Sequence, residues 1–367
     1  MKTICCIADC HIGYMHRQKK DRLEDYEKAF TEAVEKALGH NPGLMIFGGD
    51  TAHHTRPDPR SLKLLIKTLM NVAEKSKVVV CVGNHEIEGH IRTAYTPMFS
   101  ELHRNIHVLT AENPHIVLDL DGVNIGVHGF QYIRGKDAAE ETLRKVSSEV
   151  RQGSEKPEKN ILCIHQAVEK YLNPFEISIK ALNEVSGKYD LILVGHVHKH
   201  QRINEISVPA YYIGSTERMS FNEAENGTGF LLFREGDFER PEFVEVSSSS
   251  MRRIRRELGS KTAQEINQEI KRIIEENSDV KCLQITVEAE IVGDQFEIAR
   301  DWEAKYPGYK VLAVNVVPRI RDEAISIDKV QIDERLFDEY FEKKNPGKRK
   351  DLKDLCMKFY EKYGINP

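Results

Sequence analysis

The chain has 367 residues, 40% hydrophobic and 30% charged, with a formal net charge of −5. That length exceeds what one core usually serves, so a main domain plus at least one smaller unit is expected. The charge argues against coating nucleic acid through bulk electrostatics, though not against a local basic patch. No apolar run approaches the roughly 20 residues of a membrane helix, and the opening segment is too short and too soon charged for a signal peptide. Seven cysteines without a CxxC pair, several in apolar runs, suggest reduced, buried thiols and a cytoplasmic protein.

In chain order, residues 3–8 read as a strand and 23–38 as a helix with Tyr26, Phe30, Ala33, Val34 and Ala37 on one face. Residues 44–47 read as a strand, 60–74 as a helix and 77–82 as a strand. This β-α-β-α-β order predicts an α/β fold with a parallel sheet covered on both faces. Strands follow at 115–120 and 123–129, a polar helix near 137–151, and strands at 161–164 and 191–194. Further strands near 208–213 and 229–233 are expected to complete a second sheet. The serine run 247–250 reads as a linker. Beyond it lies a smaller α+β unit: the basic stretch 251–256, helix 262–277, strand 281–291, helix 294–305 and strand 309–317. The tail, 331–363, reads as two amphipathic helices around the breaker Asn345-Pro346-Gly347. The expected division is 1–246, 247–322 and 323–367.

Five short motifs each follow a predicted strand: Asp9-Cys10-His11, Gly48-Gly49-Asp50, Gly83-Asn84-His85-Glu86, a lone His165, and Gly195-His196-Val197-His198. In an open α/β sheet the loops at the carboxyl ends of the strands converge on one edge. Residues far apart in sequence are thereby predicted to meet in space. Aspartate and asparagine oxygens with imidazole nitrogens favour Mn, Fe or Zn over Ca. Two such ions about 3.5–4 Å apart activate water for in-line attack on phosphorus and offset charge on the phosphate oxygens.

This ordered set, DxH, GD, GNH[DE], H and GHxH, resembles the calcineurin-like metallophosphoesterase superfamily. The resemblance implies two packed mixed sheets flanked by helices. It places Asp9, His11, Asp50 and His198 on one metal and Asp50, Asn84, His165 and His196 on the other, with Asp50 bridging. It places His85 against the phosphate or the leaving oxygen. Among the branches of the superfamily, the GDxxDRG signature of the protein serine/threonine phosphatases is absent. Residues 49–57 instead resemble the GDLFHxxRP segment of the DNA double-strand-break repair nucleases of the meiotic-recombination-eleven family, called SbcD in bacteria. Asp9-Cys10-His11-Ile12-Gly13-Tyr14, Gly195-His196-Val197-His198-Lys199 and Gly214-Ser215-Thr216-Glu217-Arg218 also resemble segments of that family. The likeness runs from residue 1 to about 320, and the size is that of the short archaeal members. Thr51-Ala52 departs from the usual Leu-Phe, and Glu86 stands where Asp is common.

What this second resemblance implies is specific. The protein would be a Mn-dependent DNA exonuclease and endonuclease with two Mn2+ per subunit, chromosome-associated in the cytoplasm. His53 would place the phosphate together with His85. DNA would be contacted by Arg56 and by Arg252, Arg253, Arg255 and Arg256, through phosphates rather than bases. A homodimer would form through helix 60–74, with Leu62, Leu65, Ile66 and Leu69 at the interface; the apolar spacing by itself equally describes a helix buried in the core. The tail residues Leu336, Phe337, Tyr340, Phe341, Leu352, Leu355 and Phe359 would bind an SMC-like coiled-coil ATPase. His54, His90, His128 and His200 read as surface or structural histidines. Two other readings are a small-molecule phosphodiesterase or nucleotide hydrolase, and a non-catalytic scaffold. The first leaves the smaller unit and the tail unexplained, and the second fits poorly with a full set of ligands.

Overall fold

A computed structural model of the chain describes residues 2–88, 94–150, 157–234 and 236–319. The tail helices expected at 331–363, the ATPase contacts expected from Leu336 to Phe359, and His90 lie outside these residues. Among the described residues no helix is long and apolar enough to cross a membrane.

Two six-stranded mixed sheets face each other. The first has the order β12-β11-β1-β2-β3-β4, built from β1 (Ile4–Ile7), β2 (Leu44–Phe47), β3 (Lys77–Cys81), β4 (Ile106–Leu109), β11 (Gly229–Phe233) and β12 (Glu242–Glu245). Strands β1 to β4 run parallel, with α1 (Lys20–Gly39) and α2 (Pro59–Ala73) as crossovers. The second sheet has the order β5-β6-β7-β8-β10-β9, from β5 (His115–Asp119), β6 (Asn124–Phe130), β7 (Lys159–His165), β8 (Leu191–Gly195), β9 (Gln201–Arg202) and β10 (Ala210–Tyr212). It is covered by α3 (Lys136–Ser148) and α4 (Ile179–Ser186).

The strand sequences explain the layering. In β1, Ile4 and Cys6 pack into the space between the sheets while Cys5 and Ile7 pack toward α1 and α2. Both faces are buried, which is why the run reads as continuously apolar. The six described cysteines are all free and buried, with burial pushing the Cys5 thiol up to about 12. Such thiols are chemically inert.

Several expectations are corrected here. Strand 229–233 was assigned to the second sheet; it crosses back and lies antiparallel beside β1 in the first. On α2, Leu65 and Leu69 are 0% and 1% exposed and sit in the core behind the first sheet. Only Leu62 and Ile66, half-buried, remain of the proposed interface face. The helix expected over 294–305 is instead a 3-10 turn at Gln295–Glu297 and a four-residue helix α6 (Trp302–Lys305). The Asp294 side chain caps Phe296 N–H, and the backbone at Ile298 is extended, so the helical spacing is interrupted.

A third sheet of three parallel strands follows: β13 (Met251–Thr262), β14 (Cys282–Val292) and β15 (Val311–Pro318). One face buries Ile266, Ile270, Ile273 and Ile274 of α5 (Ala263–Glu276), which opens with a Thr262–Glu265 capping box. The serines leading into β13 are fastened to the body. Ser247 Oγ donates to Glu32, Ser248 Oγ accepts from Arg218, and Ser249 Oγ donates to Asp25 at 2.7 Å.

Of the bystander histidines, His200 stacks on Phe243 and holds the Tyr212 carbonyl, and His54 is exposed. His128 is 3% exposed in β6. Its Nε2 lies 2.8 Å from Asn160 Oδ1 and its Nδ1 2.9 Å from His115 Nδ1. Burial holds the His128 pKa down to about 4. Because the folded value lies below the unfolded one near 6.5, the unfolded state takes up the proton first. Stability is therefore expected to fall as pH drops from about 6.5 toward 4, by about 3 kcal/mol from this group. Thermal melts of the wild type and His128→Gln across that range should converge at low pH; parallel curves would remove His128 as the cause.

Candidate metal centre

Asp9, Asp50 and Asn84 each lie two or three residues beyond β1, β2 and β3. His165 is the last residue of β7, and His196 and His198 follow β8. Both sheets therefore deliver their strand ends to one place. The turns are tight enough that Asp9, His11, Asp50 and His196 have φ of 51°, 47°, 49° and 86°. Non-glycine residues enter this left-handed region at a cost of order 1 kcal/mol each, and such strain gathers at functional sites.

The predicted ligands form two clusters, Asp9–His11–His198 and Asp50–His165–His196. They meet at one oxygen: Asp50 Oδ2 lies 3.8 Å from His11 Nε2 and 3.4 Å from His165 Nε2. Asn84 Oδ1 sits 3.2 Å from His165 Nε2, and Asp9 Oδ1 lies 3.8 Å from His198 Nε2. The other Asp50 oxygen accepts the backbone N–H of His85 at 2.9 Å, and Asp9 accepts that of His196 at 3.1 Å.

The donor set fits cations. His165 Nδ1 donates to the Gly48 carbonyl at 2.9 Å, His198 Nδ1 faces Glu223 Oε2 at 3.2 Å, and His11 Nδ1 faces His53 Nδ1 at 3.2 Å. Each ring thus has Nδ1 engaged outward and turns Nε2 inward, the arrangement of metal-bound histidines. The His11 and His198 Nε2 atoms lie only 3.1 Å apart, close enough for one cation to be held by both. Burial drives the Asp9 carboxyl up to about 6 against the pull of His165 and His198. For Asp50, burial is outweighed by His165 and His11, and its carboxyl stays well below the usual range. His165 resists its own burial, and the two aspartates raise it to about 10. His11 and His196 are held down by burial, His196 to about 3. A buried site with two carboxylates and this many inward lone pairs calls for positive charge.

The cradle leaves no slack. A Cβ on Gly83 would lie 2.1 Å from Asp50 Oδ1. Gly83→Ala is therefore expected to push Asp50 off its position and weaken metal uptake, readable by metal titration. Unchanged uptake would contradict the placement of Asp50.

His85 and His53 flank the clusters, their rings stacked at 4.4 Å, and His85 Nδ1 lies 3.1 Å from the His53 carbonyl. His53 also packs on Tyr14 at 4.2 Å, and its own pKa is held down to about 3 by burial and by His85. The two sequence departures prove to be partners. The buried Glu86 carboxylate accepts from the Thr51 hydroxyl, from Thr51 N–H at 3.1 Å and from Gly83 N–H at 2.8 Å, tying the loop after β2 to the loop after β3. A leucine at position 51 has no hydroxyl to offer. Burial, with Asp50 adding to it, raises Glu86 to about 7.

The basic residues are placed elsewhere. Arg252 is engaged with Asp279 and Asn277, Arg253 donates to Asn222, and Arg255 pairs with Glu288; Arg256 is exposed on β13. Arg56 is 90% exposed, 3.7 Å from Glu88. Sequence reasoning missed Glu223, which carries no motif, and a buried network around Arg22 described below.

A mixed-sheet sandwich with imidazoles and carboxylates gathered at its strand ends defines a metal-dependent phosphoesterase. The family model described as calcineurin-like phosphoesterase matches residues 2–200, and the chain belongs to that family. Within it, the chain is similar to proteins named DNA double-strand break repair protein Mre11. Identity is 27% over 260 residues with that of Methanocaldococcus jannaschii (66% of this chain, 68% of that protein). It is 29% over 279 residues with that of Archaeoglobus fulgidus (67% and 59%) and 25% over 245 residues with that of Methanococcus maripaludis (64% and 63%). The chain thus spans between 59% and 68% of these relatives' lengths.

Proposed function

We propose that the chain is a manganese-dependent DNA exonuclease and endonuclease that processes double-strand-break ends. The observation that carries this reading is the single Asp50 oxygen shared between two His/Asp clusters, with His85 beside it. Asp9, His11, Asp50 and His198 would hold one ion, and Asp50, Asn84, His165 and His196 the other. The oxygen and imidazole donors suit Mn2+. Bound ions would supply Lewis acidity and lower the pKa of water near phosphorus.

The chain's own residues do the rest. Asp50 fixes the spacing of the two halves. His85, anchored through Nδ1–H to the His53 carbonyl, leaves Nε2 free, the atom that in the imidazolium form would deliver a proton to the leaving oxygen. His53, stacked on His85 and in contact with His11, holds that ring in place beside the phosphate.

The substrate assignment draws support from the relatives' names and from the third sheet, read as a DNA-capping unit over 247–322 after a nuclease unit over 1–246. Arg256 on the capping unit and Arg56 in the loop after β2 are candidate phosphate contacts. Arg252, Arg253 and Arg255 would first have to leave Asp279, Asn222 and Glu288. The segment 323–367 is assigned to an SMC-like ATPase, and Leu62 and Ile66 to a homodimer contact.

The test is incubation of the protein with Mn2+ and end-labelled duplex DNA, beside a cyclic nucleotide and a generic phosphodiester. Cleavage of the duplex with the cyclic nucleotide intact is expected. Preference for the nucleotide would make the protein a small-molecule phosphodiesterase. No cleavage of any substrate, even with the ATPase present, would leave a non-catalytic scaffold.

A further inference from the structure

We infer that Glu223 is a positioning residue for the metal centre, holding the His198 ring so that its Nε2 faces the ion shared with Asp9 and His11. This rests on the metal-centre reading above and adds a residue to it.

His198 lies in a loop three residues beyond the end of β8, so the strand alone does not fix its ring. Its Nδ1 lies 3.2 Å from Glu223 Oε2, and its Nε2 3.1 Å from His11 Nε2. The three rings with an assigned Nδ1 partner differ in what they use: His165 has a main-chain carbonyl, His11 another imidazole, and His198 a carboxylate.

Glu223 is itself held without help from His198. Its Oε2 accepts the Met219 N–H at 2.9 Å and its Oε1 accepts the Ser220 hydroxyl at 3.1 Å. The same short turn is fastened on its far side: Phe221 packs with Met251, Cys282, Val311 and Ala313 of the third sheet, and Asn222 accepts from Arg253. A carboxylate so anchored fixes one imidazole tautomer, with hydrogen on Nδ1, and raises the donor strength of Nε2. Replacing such a partner typically costs 10- to 100-fold in metal affinity.

The test uses the full chain, stripped of metal and titrated with Mn2+ by calorimetry, as wild type, Glu223→Ala and Glu223→Gln. Long-range proton–nitrogen spectra of the histidine rings are recorded without metal. The wild type is expected to take up two ions. Glu223→Ala should keep one at wild-type affinity and bind the other about 10- to 100-fold more weakly. It should also lose the fixed Nδ1–H form of His198. Glu223→Gln, whose amide oxygen still accepts, should recover most of both. The inference is overturned if Glu223→Ala binds both ions as the wild type does. It is equally overturned if both ions weaken together with a lowered melting temperature, which would make Glu223 merely structural. If the wild type itself takes up no ion, the metal-centre reading fails first and takes this one with it.

Discussion

Replacing His85 by alanine is expected to lower DNA cleavage by about 10²- to 10⁴-fold while leaving metal uptake unchanged. The separation follows from how His85 is built into the site. Its link to Asp50 is made by the backbone N–H, at 2.9 Å, and survives truncation of the ring. The ring contributes only Nε2, its Nδ1 being engaged with the His53 carbonyl. On the proposed roles, alanine removes a proton donor and leaves the metal ligands in place. Parallel measurement of cleavage rate and Mn2+ stoichiometry checks this. A variant that loses both together would place the ring among the ligands, and one that keeps its rate would remove His85 from the chemistry.

The largest expected loss of stability lies away from the strand-end cluster, at Arg22. Its side chain is 0% exposed in α1 and meets Asp25 at 2.8 Å, Glu217 at 3.5 Å and the Arg218 carbonyl at 2.7 Å. Tyr26 donates to the same carbonyl. Asp25 in turn accepts from Ser249 and pairs with Lys310, next to β15, while Glu217 accepts the Ser249 N–H at 3.0 Å. The network thus pins the third sheet to α1. Removing one partner of a buried ion pair strands the other charge, at a cost of about 3–5 kcal/mol. Arg22→Ala is expected to lose stability of that order in a denaturant titration, because Glu217, 1% exposed, has no other ion pair among the described residues. A loss below about 1 kcal/mol would mean that Glu217 takes up a proton and the network is not what holds the sheet.

What the sequence disclosed, and what it did not, divides along a physical line. Residues such as Asp9, Asp50 and His196 sit directly after short apolar strands, so strand order alone predicts that they converge. The apolar runs predict a parallel sheet covered on both faces and a second sheet; that both are mixed and packed together is what the family resemblance implies. Glu223 was invisible because it carries no motif, and the Arg22 network because its partners lie far along the chain: Arg22 meets a carbonyl 196 residues away. The apolar face of α2 fits a core-buried helix by its spacing alone, and only the family resemblance assigns it to an interface; Leu65 and Leu69 face the core. Strand β11 was misplaced because nothing local decides between two sheets of equal apolarity. The break within 294–305 arises from a side-chain cap at Asp294 that helical spacing does not register.

The most direct test of the central claim is end-labelled duplex DNA cleavage by metal-stripped protein as Mn2+ is added back, with Asp50→Ala alongside. The account predicts no cutting without metal, cutting that rises as the second ion binds, and none at any Mn2+ concentration for the variant. Cutting that persists in excess chelator, or that survives in Asp50→Ala, would contradict it.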